Sequence, residues 1–344
     1  MNAISRSKFW RFLVQLTVLI FFGPGYQTAW AAELPLLRMA HGAFNEKIEA
    51  LWMGVERGIF RKHGVDVEVV STRNGPLTIQ ALASDEVQVA YTVPSSVLNA
   101  AAAGMDIAFF AGLVNRPDGN LIVAPEIRTA SNLRGKRLGI QSMDGGVWSM
   151  TVLALEHLGL EPARDKIALT PLGDQSLLAQ AFIAGRIDGA YLSYGYRPLL
   201  KDMDHRVLLD LGKSSIPYQG LALVAQRAYM RRNPRLIDAL LNGVAESVAF
   251  VKEPANKAAV LSSLQKNLRF KNIQQAEASY DALQWLYGSD MKPHLPGIQN
   301  VARLFALSNP RIAKLRLQEV IESEPLQRLE GKLVSRKLLS GASG

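Results

Sequence analysis

Cysteine is absent from all 344 residues of the chain. That excludes disulfides, thiolate metal centres, cysteine nucleophiles and lipid attachment through an N-terminal cysteine. Histidine is sparse: His41, His63, His157, His205 and His294 form no H-E-x-x-H and no pair at metal-ligand spacing. There is no G-x-S-x-G elbow. The stretch "LGKSS" (211–215) ends like a phosphate-binding loop, but Val207 stands where glycine is required five positions before Gly212. A basic block of nucleic-acid type is also missing. The densest cluster, "MRRNPR" (230–235), breaks at Asn233-Pro234 and leads into "RLIDALL", a solvated helix start. Past the first thirty residues no apolar run reaches the ~18 residues of a membrane span. The residues therefore point to no metal, no cofactor and no nucleic-acid partner.

What is present is a globular composition, 48% hydrophobic and 20% charged, long enough for two domains. The first thirty residues stand apart. Arg6, Lys8 and Arg11 precede an apolar run, Phe12 to Phe22, and no acidic residue occurs before Glu33. Gly23-Pro24-Gly25 breaks the run, and Ala29-Trp30-Ala31-Ala32 offers a small-x-small cleavage pattern. This reads as a signal peptide over residues 1–31 that sends the mature protein to the periplasm. As an anchor, the run would rise only about 16 Å into a ~30 Å hydrocarbon core. The three leader cations account for part of the formal net charge of +9, so a mature chain is modestly basic.

The remainder alternates. Strand "LLRMAHG" (36–42) precedes an amphipathic helix, "NEKIEALWMGVERGIF" (45–60), with Ile48, Leu51, Trp52, Val55 and Ile59 at helical spacing. Strand "VDVEVVS", helix "LTIQALAS", strand "VQVAYT", helix "SSVLNAAAA" and strand "IAFFAGLV" follow, then strand "LIVA" (121–124). Strands separated by helices pair in parallel through right-handed crossovers. The order restarts at "RLGIQ" (137–141), and from about residue 228 the chain turns helical. One word is nearly repeated: "QALASDEVQVAY" (80–91) and "QAFIAGRIDGAY" (180–191) lie 100 positions apart, each at a helix, tight turn and buried strand. Two lobes of the same topology are expected.

In open parallel sheets ligands sit beyond the carboxyl ends of the strands. Those ends read "HGAFN", "STRNGP", "TVPSS", "QSMDGGVWS", "PLGDQS" and "LSYGYR", rich in small polar residues. In "MDGGVWSM", Gly145 and Gly146 ahead of a helix allow close approach of an electronegative atom to free amides. A plain helix start capped by Asp144 would read the same way.

The segments "ALWMGVERGIFRKHGVDVEVV", "NGPLTIQALASDEVQVAY", "NLRGKRLGIQS", "LGDQSLLAQAFIAGRIDGAYLS" and "LALVAQRAYMRRNP", after a secretory leader, resemble the periplasmic solute-binding proteins of ABC importers of the nitrate/sulfonate/taurine type. The resemblance runs over roughly residues 36–250. It implies an α/β two-lobe periplasmic-binding-protein fold, type II-like, with mixed, mainly parallel sheets flanked by helices and a helical C-terminal region. Lobe 1 would begin at 32–127, lobe 2 would be inserted at 128–218, and 219–327 would return to lobe 1, with a loose tail over 328–344. The chain would cross between lobes near 125–132 and 212–219. Such proteins close on a small molecule by hinge motion. The resemblance places ligand contacts at Gly42, Ala43, Phe44, Pro94 and Ser95 in lobe 1, and at Gln141, Gly145, Gly146, Trp148, Ser193 and Tyr194 in lobe 2, with Asp174 and Tyr218 beside them. Phe44, Trp148 and Tyr194 would sandwich a planar or apolar ligand, although Trp148 also fits a buried helix face.

Arg73 and Arg197 are the only cations adjoining these loops in the sequence, which argues against nitrate or a simple sulfonate. The expected partners are a small-molecule ligand and an inner-membrane ABC permease, and the expected state is a monomer. The alternatives are a periplasmic enzyme or biosynthetic protein using the same cleft, or a receptor for a sensor. Eukaryotic proteins of this fold that make a thiamine pyrimidine carry a cysteine-rich segment, which is absent here. His41, at a strand end, could serve as a base or as a hydrogen-bonding loop residue.

Overall fold

A computed structural model of the chain describes residues 33–288 and 290–331. The expected leader (1–31) and residues 332–344 of the expected tail lie outside the described residues. Strands and helices alternate through β1 (Leu36–His41), α1 (Glu49–Glu56), α2 (Ile59–Lys62), β2 (Asp66–Ser71), α3 (Gly75–Ala83), β3 (Val89–Thr92), α4 (Pro94–Ala102) and β4 (Ile107–Gly112). The pattern resumes with β5 (Asn120–Val123), β6 (Arg137–Ile140), α5 (Gly146–His157), β7 (Ala168–Pro171), α6 (Gln175–Ile183), β8 (Gly189–Leu192), β9 (Arg206–Asp210) and β10 (Ala222–Gln226). Helices α7 (Arg227–Arg232), α8 (Pro234–Lys252), α9 (Lys257–Leu268), α10 (Ile273–Leu286) and α11 (Leu295–Ala306) complete the main elements.

Two five-stranded sheets form, in the orders β2-β1-β3-β10-β4 and β7-β6-β8-β5-β9. They correspond strand for strand. In each, three parallel strands joined through helices are followed by one that runs antiparallel to both of its neighbours. That strand is always the one delivered by the other lobe. A chain that crosses the gap must start its next strand at the gap and run away from it, against strands that run toward it. Both delivered strands also carry a register shift, at Leu223/Val224 in β10 and at Leu121/Ile122 in β5.

This corrects the expected position of the first crossing. "LIVA" reads as the last strand of the first lobe, yet it is β5, paired with β8 and β9 in the second sheet. The chain therefore passes over at 113–119 rather than 125–132. It returns over 211–221, between β9 and β10.

The repeated words build the same device twice. Helices α3 and α6 are both nine residues long, capped by the side chains of Asn74 and Asp174, 100 positions apart. Each is followed by a left-handed residue, Asp85 (φ 59°) or Gly185 (φ 66°), which ends the helix. Each then enters a buried strand ending near Tyr91 or Tyr191.

Three further expectations change. The helix expected over 45–60 is split: Asn45 caps a 3-10 turn, Glu46–Ile48, and the chain breaks at Gly58 between α1 and α2. Its burial is also reversed in part, with Val55 43% exposed while Glu46, Lys47 and Glu49 are buried. The cause is long-range cover, since α8 and α9 pack on α1 and α10 packs on the 3-10 turn. The C-terminal helices, expected with lobe 1, strap both lobes. Helix α10 packs on the 3-10 segment Tyr194–Leu200 of the second lobe. Helix α11 packs on α4 and reaches α5 of the second lobe, through Phe305 against Trp148 (4.9 Å between ring centres) and an Arg303–Glu156 pair. Residues 328–331, expected in the loose tail, continue a helix in which Arg328 pairs with Asp238 and Leu329 is buried. Among the described residues no helix is long and apolar enough to cross a membrane.

Candidate functional site

Between the lobes lies a cavity of about 50 Å³. Its lobe-1 wall comes from the loops after β1, β2 and β3, with Gly42, Ala43, Asn45, Asn74 and Thr92. Its lobe-2 wall comes from the loop after β6 and the start of α5, with Gln141, Gly145, Gly146 and Val147. The crossing segments supply Asp118 and Tyr218, and Lys47 and Tyr191 complete the polar lining with Gln175.

Local structure explains which amides are free. The side chains of Asn74 and Asp174 cap α3 and α6, Asn45 caps the 3-10 turn after β1, and Pro94 opens α4 without an N–H to offer. Helices α4 and α5 have no side-chain cap. In α5, Gly145 is the N-cap and no side chain bonds the first turn; Asp144 does not cap it. Gly146 and Val147 line the cavity at the positive end of the helix dipole, and among the described residues their amides have no acceptor.

The lobes are in contact around this space. Gln141 Nε2 donates to the carbonyls of Gly42 (3.3 Å) and Arg73 (2.7 Å), and Tyr196 donates to the carbonyl of Phe44 (3.1 Å). Gly42 has no room for a side chain, because an added Cβ would lie 2.3 Å from the backbone of Asn74.

A buried charge pair lies beside the cavity. Lys47 Nζ donates to Asp118 Oδ2 at 2.7 Å, with side chains 9% and 3% exposed, and stands 3.5 Å from the Tyr191 hydroxyl. The carbonyl of Lys47 accepts from Tyr91 (3.2 Å) and Tyr287 (3.0 Å). The two tyrosines that end the repeated words therefore meet at one lysine, one from each lobe. Asp118 is placed by Gly119, whose φ of +74° is left-handed and whose added Cβ would strike the Leu192 carbonyl and the Tyr191 ring at 2.7 Å. No other residue lets the first crossing pass so close to the end of β8.

Glu46 is fully buried next to this pair, and neither carboxylate oxygen has a hydrogen bond of ordinary geometry. Burial pushes its carboxyl up to about 7, opposed by the nearby Lys47 charge and reinforced by Asp118. Glu49, one turn on, is likewise buried with neither oxygen in a hydrogen bond of ordinary geometry among the described residues, and burial, opposed by the nearby Ser263 hydroxyl, holds it well above the usual carboxylate range. Burial pushes the Tyr191 and Tyr218 hydroxyls up, so both stay protonated donors.

Of the residues expected from the sequence, Gly42, Ala43, Gln141, Gly145, Gly146 and Tyr218 come together around the cavity. The others are placed elsewhere. Phe44 accepts Tyr196 through its carbonyl, Pro94 starts α4, and Ser95 is fully buried with its hydroxyl unpartnered. Trp148 packs edge-on against Phe305, and Tyr194 donates to Asp210 and packs on Trp285. The expected aromatic sandwich is therefore not formed. Asp174 is spent on capping α6, and Ser193 is held by both ends of the Gln175 amide. Asn74, Thr92 and Gln175 were visible in the strand-end words. Lys47 and Asp118 carried no local signal, and Lys47 overturns the expectation that Arg73 and Arg197 are the only cations near these loops. His41 is buried, donates from Nδ1 to the Ala43 carbonyl, and packs on Trp52. Burial lowers it to about 4, so it stays neutral at physiological pH.

A protein of Brucella abortus described as a binding protein is 24% identical over 204 residues, covering 57% of this chain. The chain spans 60% of the length of that curated relative. The formylaminopyrimidine-binding protein of Halalkalibacterium halodurans is 23% identical over 237 residues, covering 66% of this chain and 69% of the relative. Among solved structures, the periplasmic aliphatic sulphonate-binding protein SsuA of Escherichia coli superposes with a TM-score of 0.70 at 19% identity, covering 85% of this chain and 93% of that one. This likeness establishes the fold, the two-lobe α/β fold of periplasmic binding proteins. The NMT1/THI5-like family description matches residues 45–258, well over half of the sequence, and the chain belongs to that family.

Proposed function

We propose that the chain is a periplasmic solute-binding protein that closes its two lobes over a small polar molecule and delivers it, as a monomer, to an ABC permease. The observation that carries this reading is the cavity itself. It is roofed by opposed strand-end loops, supplied with free helix amides on one side and a buried Lys47–Asp118 pair on the other, and spanned by Gln141. Closure buries the solute and presents a shape specific to the loaded state, so the solute shifts the open–closed population by its differential affinity.

The enzyme alternative considered from the sequence would need a base in this cavity, and His41 does not supply it. His41 lies outside the lining, neutral and held by a backbone carbonyl. Among the described residues no cluster of histidine and carboxylates is arranged to hold a metal ion. The relatives' ligands, a formylaminopyrimidine and an aliphatic sulphonate, bracket the chemistries to be tried.

Native mass spectrometry of gently purified protein tests the proposal. A co-purifying small molecule that returns unchanged after release is the expected result. Re-added at ~100 times its Kd, it should raise unfolding stability by about 2.7 kcal/mol. Turnover of that molecule, or no thermal shift with any member of a small-molecule library, would sink it.

A further inference from the structure

Asp118 is 3% exposed at its side chain, and only one of its oxygens is used. Oδ2 accepts from Lys47; Asp118 lines the cavity, and among the described residues no protein donor reaches Oδ1. A nearly buried carboxylate oxygen left without a donor is costly unless something else supplies one. The opposite wall has the complementary need, since among the described residues the α5 amides of Gly146 and Val147 have no acceptor. The cavity is thus polar in one direction, asking for a donor at one end of the ligand and an acceptor at the other.

We infer that Asp118 is a specificity-determining residue: it selects a ligand bearing an N–H donor, an amino or ring N–H group, whose acceptor end points to the α5 amides, and it rejects simple oxyanions. Lys47 does not convert the site to an anion receptor, because its charge is already matched by Asp118 at 2.7 Å. A second carboxyl, Glu46, lies buried beside the pair, which makes the neighbourhood no friendlier to an anion. A site built to receive a donor discriminates strongly against an analogue that lacks it, because the buried acceptor is then left unpaired. The inference rests on the solute-binding reading above and adds the chemical class of the solute.

The test uses matched probes of one shape. 4-Aminopyrimidine and 4-methylpyrimidine share ring acceptors and differ in one donor group; ethanesulfonate and nitrate are the oxyanion controls. Calorimetric titration of the wild-type protein should rank the amino compound at least tenfold tighter than its methyl analogue and tighter than either oxyanion. In Asp118→Asn the amino compound should lose at least tenfold, with the methyl analogue changed less. Because Asp118→Asn strands Lys47, the paired variant Lys47→Met/Asp118→Asn is measured alongside. It should retain folding and lose the amino-over-methyl preference. Tighter binding of nitrate or ethanesulfonate, equal binding of the two pyrimidines, or no binding of the amino compound overturns the Asp118 assignment. Any of those results leaves solute binding itself to stand or fall on the co-purification experiment.

Discussion

Glu46 makes a quantitative case. It sits on lobe 1, and the groups that face it come from every neighbouring element: Lys47 on its own turn, Asp118 on the first crossing, the amide of Tyr194 and the ring of Tyr196 on the second lobe, Tyr191 on β8 and Tyr287 after α10. Burial raises its carboxyl from an ordinary 4.5 to about 7. The folded protein therefore holds a proton on Glu46 between those values that the unfolded chain releases. Stability from this group is present at the acid end of that window and is lost as pH rises through 7. Integrated from pH 9 down to pH 5, the group should add about 2–3 kcal/mol. Glu46→Gln keeps the shape and removes the titration. Urea unfolding of both proteins at pH 5, 7 and 9 should show the difference between them shifting by that amount in favour of the variant at pH 9. Glu49 and His41 titrate in both proteins and cancel. Parallel stability–pH curves for the two would refute the burial argument.

Three further outcomes follow from the same geometry. Gly119→Ala should destabilise by about 1–3 kcal/mol, from its left-handed φ and its clash with β8; a melting temperature equal to wild type would contradict it. The His41 ring signals in NMR should stay unshifted from pH 8 to pH 5 and titrate near 4. Its depressed value makes the native state lose stability as pH falls from 6.5 through 4. The chain has no cysteine, so Leu77→Cys and Leu177→Cys, at exposed positions one per lobe, give a clean spin-label pair. Trp148→Ala removes an edge-on contact of about 0.5–1.5 kcal/mol, and the label distances should lengthen. Arg303→Ala should do less, because its half-exposed pair with Glu156 is worth about 0–1 kcal/mol.

The alternation of strand and helix, the α/β class and the doubling of the lobe were legible because they arise from local periodicity. Apolar residues at helical or alternating spacing report the face an element turns to its own sheet. The repeat at residues 80–91 and 180–191 was legible for the same reason, and so were the glycine-rich loop before α5 and several strand-end residues. The first crossing was misplaced because "LIVA" has the composition of any buried strand, and composition does not say which sheet it joins. Direction decided that, since a strand that begins at the gap can only run away from it.

The buried charges were illegible for a different reason. Glu46, Lys47 and Glu49 lie on what reads as the polar face of an amphipathic helix. Their burial is imposed by the second lobe and by helices about two hundred positions later in the chain. Lys47 and Asp118 are 71 residues apart and meet only because the first crossing, turned by Gly119, passes the end of β8. Sequence alone determined the elements, their order and their duplication, which depend on neighbours a few residues away. Tertiary structure alone decided which side chains face the ligand space and which charges lose their water, because those depend on what the chain folds back against.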